Sequence, residues 1–73
     1  MKLRKIGSNM STMTLDSGTE VLFSYATPVA YRSGGRYYVT DEKFSVTTTR
    51  HVNKWTTANR ETVPQAQIEA LVA

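Results

Sequence analysis

The chain has no cysteine and only one histidine, His51, among its 73 residues. Disulfides are therefore excluded, and a tetrahedral zinc site built on a single histidine would need carboxylates gathered around it. The six acidic residues are instead scattered along the sequence. We expect no bound metal, and the absence of cysteine is typical of an intracellular protein.

Long apolar runs are also missing. Val21, Leu22 and Phe23 are followed by Ser24, whereas a membrane span needs ~20 predominantly apolar residues. The basic segment 1–6 leads into polar residues and not into the apolar core of a secretory signal. We expect neither a membrane segment nor a signal peptide.

Positive charge is only slightly in excess, since nine lysine and arginine residues against six acidic residues give a net charge of +3. This excess alone does not separate a nucleic-acid-binding protein from an ordinary basic domain.

The length predicts one domain, residues 1–73, and a domain of this size buries only ~60% of the surface that its unfolded chain exposes. Self-association is the remaining support, and we expect a homodimer or small homo-oligomer.

The first half of the chain is rich in β-strand signals. Residues 10–15 and 19–25 are β-prone runs on either side of a short loop, in which Gly18 can take the positive φ of a tight hairpin. In the second run Phe23 lies on the face that alternation assigns to the core. Residues 29–32 and 36–40 predict another hairpin around Gly34 and Gly35.

Two further strands are predicted from weaker patterns. Residues 2–6 are expected to pair with the first hairpin, and Phe44 and Val46 alternate with polar residues over 43–47. Pro28 is expected to interrupt the sheet between the two hairpins, because proline cannot donate to a ladder. All strands are expected to be antiparallel, since the connections are too short for crossovers.

The pattern changes to a helical period after Thr47. A helix over residues 50–59, capped by Thr48 or Thr49, would place four residues on its inner face. These are His51, Val52, Trp55 and Ala58. A second helix is predicted after residues 62–65, whose Thr-Val-Pro-Gln sequence matches a capping box.

The predicted fold is α+β: a small antiparallel β-meander of about five or six short strands, followed by two short C-terminal helices packed on the sheet. Both helices are expected to lie across one face of the sheet. The expected core residues are Phe23, Phe44, Val46, Val52, Trp55, Ile68 and Leu71.

His51 is the one candidate for a general base, but a serine or threonine nucleophile would also need a carboxylate to orient the histidine, and no motif supplies one. We interpret His51 as a half-buried structural residue on the helix. For Trp55 the alternatives are a stacking platform or interface hot spot and the largest core side chain, which we favour.

The hairpin tip around residues 31–38 interleaves tyrosine with arginine, as protein interfaces and single-strand-binding surfaces do. Arg50 and Lys54 form a like-charged pair one helical turn apart, which mildly opposes helix stability and suits contact with phosphate as well as plain surface exposure. The predicted partner-binding residues are Tyr31, Arg32, Arg36, Tyr37, Arg50 and Lys54.

The glycines do not form a phosphate-binding loop. Gly34 and Gly35 lack the spacing, the lysine and the strand-to-helix context of nucleotide-binding motifs. We expect no cofactor, and without an acid–base pair we expect no enzymatic activity.

Four segments carry a resemblance to a known group of proteins. With "KLRKIGSN" at residues 2–9, "LDSGTEVLFSYATPVA" at 15–30, "SVTTTRHVNKW" at 45–55 and "VPQAQIEALV" at 63–72, the chain resembles small proteins encoded by tailed bacteriophages and known mainly as hypothetical proteins. The most recognisable parts are residues 23–30 and 46–55. The resemblance covers nearly the whole chain. It implies a phage gene product in the cytoplasm of an infected bacterial host, and it brings no catalytic residues.

Three functions follow as hypotheses. The favoured one is an accessory protein that binds a host or defence protein stoichiometrically, for host takeover or anti-defence. The alternative is binding of nucleic acid or a nucleotide, with affinity that falls steeply with salt. Its expected contacts are Lys2, Arg4, Arg32, Arg36, Arg50 and Lys54. A second alternative is a minor structural protein of the virion.

Overall fold

The structure is a computed structural model that describes residues 2–7, 9–56 and 60–72. Within these residues the chain forms six strands and two helices. In chain order they are β1 (Lys2–Gly7), β2 (Met10–Thr14), β3 (Glu20–Ser24), β4 (Thr27–Ser33), β5 (Arg36–Thr40), α1 (Val46–Trp55), β6 (Arg60–Val63) and α2 (Gln65–Val72). Neither of these helices is long and apolar enough to cross a membrane.

The strands lie in one sheet in their chain order. Strands β1 to β5 form the predicted antiparallel meander, so the predicted α+β fold is confirmed. The last strand, β6, instead runs parallel to β5. A parallel neighbour needs a long crossover connection, and α1 with its flanking segments supplies it. The prediction that all strands are antiparallel was wrong at this edge.

Both predicted hairpins are confirmed. Gly34 and Gly35 form a two-residue hairpin loop and have φ values of 59° and 78°. A type I′ turn requires positive φ at both of these positions. Pro28, expected to interrupt the sheet, lies within β4 opposite Phe23, where the ladder register shifts. Leu22 pairs with Ala30 and Phe23 with Pro28, so the register skips Val29, and a proline within a sheet occurs mainly beside such a bulge or on an edge strand.

The predicted strand over residues 43–47 was wrong, because α1 begins at Val46. Ser45 is its N-cap, and the Ser45 Oγ accepts a hydrogen bond from the backbone N–H of Thr48. A capping serine stabilises the first turn of a helix and here overrides a period-2 pattern of only two apolar residues. Phe44 and Val46, both expected in the core, are 44% and 71% exposed.

The helices cover opposite faces of the sheet, contrary to the expectation of one face. Neighbouring strand residues point to opposite faces, and Val21 and Leu22 are both fully buried. Leu22 belongs to a cluster with Val52 of α1, whereas Val21 belongs to a cluster with Ile68 of α2. The sequence predicted one buried face for β3, and the structure buries both.

The remaining predicted core residues pack against these two clusters from their margins. Trp55 is half-buried against the cluster on the α1 side, and Phe23 and Leu71 are half-buried against the cluster on the α2 side. Thr62, the predicted cap of the second helix, is paired with Val39 in β6, and α2 begins only at Gln65. Ala58, predicted on the inner face of the first helix, lies outside the described residues.

Candidate functional site

Helix α1 is fixed at both ends by hydrogen bonds of its own threonines. At the start, the Thr49 Oγ1 donates to the backbone carbonyl of Ser45 at 3.1 Å. At the end, the backbone N–H and the hydroxyl of Thr56 both donate to the carbonyl of Val52, at 2.9 and 2.8 Å. The Ser45 carbonyl already accepts from the Thr49 backbone N–H, so the hydroxyl adds a second bond there, whereas the Val52 carbonyl is one of the last four that a helix leaves unpaired. These bonds hold the backbone from which the side chains of α1 project.

A buried polar contact joins α1 to the sheet. The Ser24 side chain, in a residue only 2% exposed, lies with its Oγ 3.0 Å from Thr48 Oγ1 and 2.8 Å from His51 Nδ1. Thr48 Oγ1 also accepts from the Ser45 hydroxyl at 3.2 Å. Each hydroxyl therefore has a partner, as buried polar groups require, and the imidazole of His51 is held in one orientation.

The Ser24–His51 pair has the spacing of a nucleophile and its base, but not the surroundings. A reacting hydroxyl must be reachable by substrate, and a catalytic histidine is oriented by a third group. Ser24 is almost completely buried, and no carboxylate in the described part of the chain hydrogen-bonds to His51. The contact positions a helix and a ring against the sheet.

Beside this contact, an open cleft of ≈ 380 Å³ lies between α1 and the start of the sheet. Its sheet side is apolar, with Ile6 and Met10, and its helix side is basic and aromatic. The cleft residues are Ile6, Gly7, Met10, Arg50, His51, Lys54 and Trp55. None of them is acidic.

Two pairs of rings lie along α1, one helical turn apart. The Trp55 ring meets Tyr37 edge to face, with centroids 5.4 Å apart and planes at 88°. The His51 ring is tilted against Tyr25 with centroids 6.1 Å apart. Tyr25 is exposed and has a φ of 59°. Residues other than glycine rarely adopt this left-handed backbone conformation. Each of the two ring residues that line the cleft, His51 and Trp55, is therefore in contact with a tyrosine ring.

The positive charge around the cleft extends onto β1. Arg4 pairs with Thr12 and Thr12 with Leu22, and Leu22 belongs to the α1-side cluster, so Arg4 shares that face. By alternation Lys2 does too. We call Lys2, Arg4, Arg50 and Lys54 the basic face. All four are exposed, and none forms an ion pair with another described residue.

Most of the side chains predicted as contacts at the hairpin tip are buried or paired within the protein. Tyr31 is 8% exposed, stacks on Tyr38 with ring centroids 4.6 Å apart, and accepts a hydrogen bond from Gln67 Nε2 at 2.7 Å. Arg32 is bound to Glu20 in an ion pair of 3.0 Å. Together with the half-buried Tyr37, this contradicts the expectation that the tip presents free aromatic anchors.

Only Arg36 of the predicted tip residues is exposed without such a partner in the described residues. The structure brings together Arg50 and Lys54 at the cleft, and adds residues that the sequence-based prediction of contacts left out. Spacing of 50, 51, 54 and 55 along a helix gave a signal for His51 and Trp55 beside the cations. Ile6 and Met10 carried no comparable signal, because they reach α1 only where the helix packs on the sheet, and at least 40 residues separate them from the helix residues of the cleft.

A second concave surface lies at the start of α1. It has a volume of ≈ 440 Å³ and combines two exposed apolar side chains, Phe44 and Val46, with Lys43 and Arg50. Large exposed apolar groups that lie together mark contact surfaces more often than scattered ones do. Arg50 lies between this surface and the cleft.

Comparison with known proteins gives the family but no activity. No curated protein and no solved structure matches the chain. One family model, described as a family of unknown function (DUF8033), matches residues 1–70. Since the match covers almost the whole sequence, the chain belongs to the family of unknown function DUF8033.

Proposed function

We propose that the protein binds nucleic acid without catalysing a reaction, using the basic face and the cleft beside it. The observation that carries the proposal is the set of four exposed cations with no ion-pair partner among the described residues. They flank a cleft that has no acidic lining residue. A surface lined by one sign of charge attracts a polyanion and raises its rate of association.

The arrangement of the cations favours a polymer. A strand rises by ~3.3 Å per residue, so Arg4 and Lys2 lie about 7 and 13 Å along β1 from Ile6 at the cleft. Arg50 and Lys54 border the other side of the cleft from α1. A single small anion would use two of these charges, whereas a phosphate chain can contact all four.

The biological setting is part of the proposal. The resemblance of residues 23–30 and 46–55 to small proteins of tailed bacteriophages supports a phage gene product that acts in the cytoplasm of the infected bacterium. There the protein would bind viral or host nucleic acid stoichiometrically.

Titration of labelled single-stranded and duplex DNA, followed by fluorescence anisotropy over a range of salt, tests the proposal. Four phosphate contacts on a single strand predict a slope of log K against log salt of about −3, which is a loss of about 50-fold between 50 and 200 mM salt. The double variant Arg50→Ala/Lys54→Ala should reduce the slope to about −1.5.

The matched control removes two exposed cations from the opposite face, with Lys5→Ala/Arg36→Ala. Lys5 pairs with Ser11 and Ser11 with Phe23 of the α2-side cluster, and Arg36 shares the face of Tyr38 in that cluster. The control has the same net charge as the test variant, so it should keep the wild-type slope. Undetectable binding at low salt, or equal losses in both variants, would refute the proposed surface.

Binding of a host or defence protein is a second candidate, favoured by the surface around Phe44 and Val46. Two exposed apolar side chains beside Lys43 and Arg50 suit a partner that offers apolar and acidic residues together. A pull-down from bacterial lysate should recover a partner that Phe44→Ser/Val46→Ser loses. The control Leu3→Ser changes an exposed apolar residue elsewhere and should retain that partner. Recovery of the same proteins by all three baits would argue against a specific site.

A further inference from the structure

We propose that the cleft seats one unstacked nucleobase, so that the protein prefers single-stranded over duplex nucleic acid. This inference rests on the proposed function and adds which form of nucleic acid is bound. Phosphates contact the basic face, and a base leaves the strand to lie between the apolar sheet side of the cleft and the rings of α1. The cleft volume of ≈ 380 Å³ falls in the range of sites for small organic molecules.

The apolar side of the cleft is the first argument. Contact with a duplex backbone needs cations and hydrogen-bond donors, but no apolar surface. Here Ile6, 42% exposed, and Met10 lie opposite Arg50 and Lys54 across the same cleft. A base has two apolar faces and is attached to a phosphate, so a single-stranded nucleotide satisfies both sides at once.

The fixed rings are the second argument. Stacking is strongest when the protein rings are already ordered, because no side-chain entropy is then lost on binding. Trp55 is held edge to face by Tyr37, and His51 by its 2.8 Å hydrogen bond to Ser24. Both rings are only half-buried and both line the cleft. Alternation of such rings with Arg50 and Lys54 is the pattern that single-strand-binding surfaces use.

The position of Lys2 and Arg4 distinguishes a strand from a free nucleotide. Neither residue lines the cleft, so a mononucleotide seated there would leave these two cations unused. A strand that continues along β1 would neutralise them. The cleft therefore holds a nucleotide that is part of a nucleic-acid strand and not a free mononucleotide.

Trp55 is the only tryptophan in the sequence, so its fluorescence reports directly on occupancy of the cleft. The experiment titrates the intact protein with oligo(dT) of about a dozen nucleotides, with a duplex of equal length and with dTMP, while anisotropy of a labelled strand gives total binding. Oligo(dT) should quench Trp55 and bind about 5- to 150-fold more tightly than the duplex, the equivalent of ~1–3 kcal/mol for one stacked base.

The outcomes separate the two proposals. Equal affinity for oligo(dT) and duplex with no quenching would overturn the base seat and leave the basic face standing. No binding of either polymer would overturn both. Quenching by dTMP at the same affinity as oligo(dT) would overturn the assignment to a strand.

A variant on the sheet side of the cleft keeps the fluorescent probe and spares the core. Ile6→Ser should weaken oligo(dT) binding by about fivefold, the equivalent of ~1 kcal/mol of lost apolar contact, and should leave duplex binding unchanged. The control Leu3→Ser removes an exposed apolar side chain from β1 that does not line the cleft. Wild-type affinity and quenching in Ile6→Ser, or the same loss in Leu3→Ser, would contradict the proposal.

Discussion

Removal of the Ser24 hydroxyl is the sharpest test of how α1 is held on the sheet. Ser24 Oγ lies 3.0 Å from Thr48 Oγ1 and 2.8 Å from His51 Nδ1, in a residue 2% exposed. In Ser24→Ala the hydroxyl of Thr48 keeps its contact with Ser45, while half-buried His51 loses the only hydrogen-bond partner that it has within the described residues. The change removes one methyl-sized polar group and leaves the apolar packing as it is.

The expected loss of stability follows from these two hydrogen bonds. Each contributes a net ~1 kcal/mol, so Ser24→Ala should lower the free energy of unfolding by ~2 kcal/mol. A domain of this length has a total of about 4–11 kcal/mol, so the change is a large fraction of it. A loss of this size lowers the melting temperature of a 60–100-residue domain by about 8–16 °C.

Thermal and urea unfolding, followed by circular dichroism, measure the loss. Ser33→Ala, at an exposed position where β4 ends, is the matched control and should stay within ~0.5 kcal/mol of wild type. In a double-mutant cycle, Ser24→Ala and His51→Ala should show a coupling of about 1 kcal/mol. Strict additivity, or a Ser24→Ala variant as stable as the control, would show that the contact does not hold the helix.

Three further substitutions test the fold by the same unfolding measurements. Ile68→Ala, at a fully buried position of the α2-side cluster, should lower the free energy of unfolding by about 2–5 kcal/mol. A loss below about 1 kcal/mol would mean that α2 is not packed on the sheet. Val46→Ser should stay within ~0.5 kcal/mol of wild type because Val46 is exposed, and a larger loss would restore it to the core. Tyr25→Gly should raise the stability by up to about 1 kcal/mol by relieving a φ of 59°; a lower urea midpoint would show that the ring contact with His51 outweighs the backbone strain.

The parts of the fold that the sequence predicted are those determined locally. Gly18 and the pair Gly34 and Gly35 mark hairpin loops whose positive φ only a few residues tolerate, so both hairpins follow from short stretches of sequence. The strand β6 could not be found in this way. Its four residues, Arg60–Val63, are too few to show a strand pattern although Thr62 and Val63 favour strands, and they become a strand because α1 returns the chain to the open edge of β5.

The candidate site was predicted in part for the same reason. Arg50 and Lys54 are neighbours on any helix, whatever its exact start, so their pairing could be read from spacing alone. The tyrosines of the hairpin tip could not be assigned, because alternation separates two faces but does not tell which is exposed when helices cover both. Tyr31 was therefore predicted as a contact residue and is buried between Tyr38 and Gln67. The Ser24–His51 contact joins residues 27 apart in sequence, which no local pattern reveals.

The exposed edge of β1 constrains how the protein can self-associate. Lys2, Arg4 and Lys5 are all exposed on this edge strand, and pairing of β1 with β1 of a second copy would bring these cations close to their counterparts. Charged side chains on an edge strand oppose such pairing. The homodimer predicted from the size of the chain should therefore form through another surface. Replacing the three cations by threonine should increase concentration-dependent association, measured by light scattering after size-exclusion chromatography. An unchanged mass would mean that charge does not protect this edge.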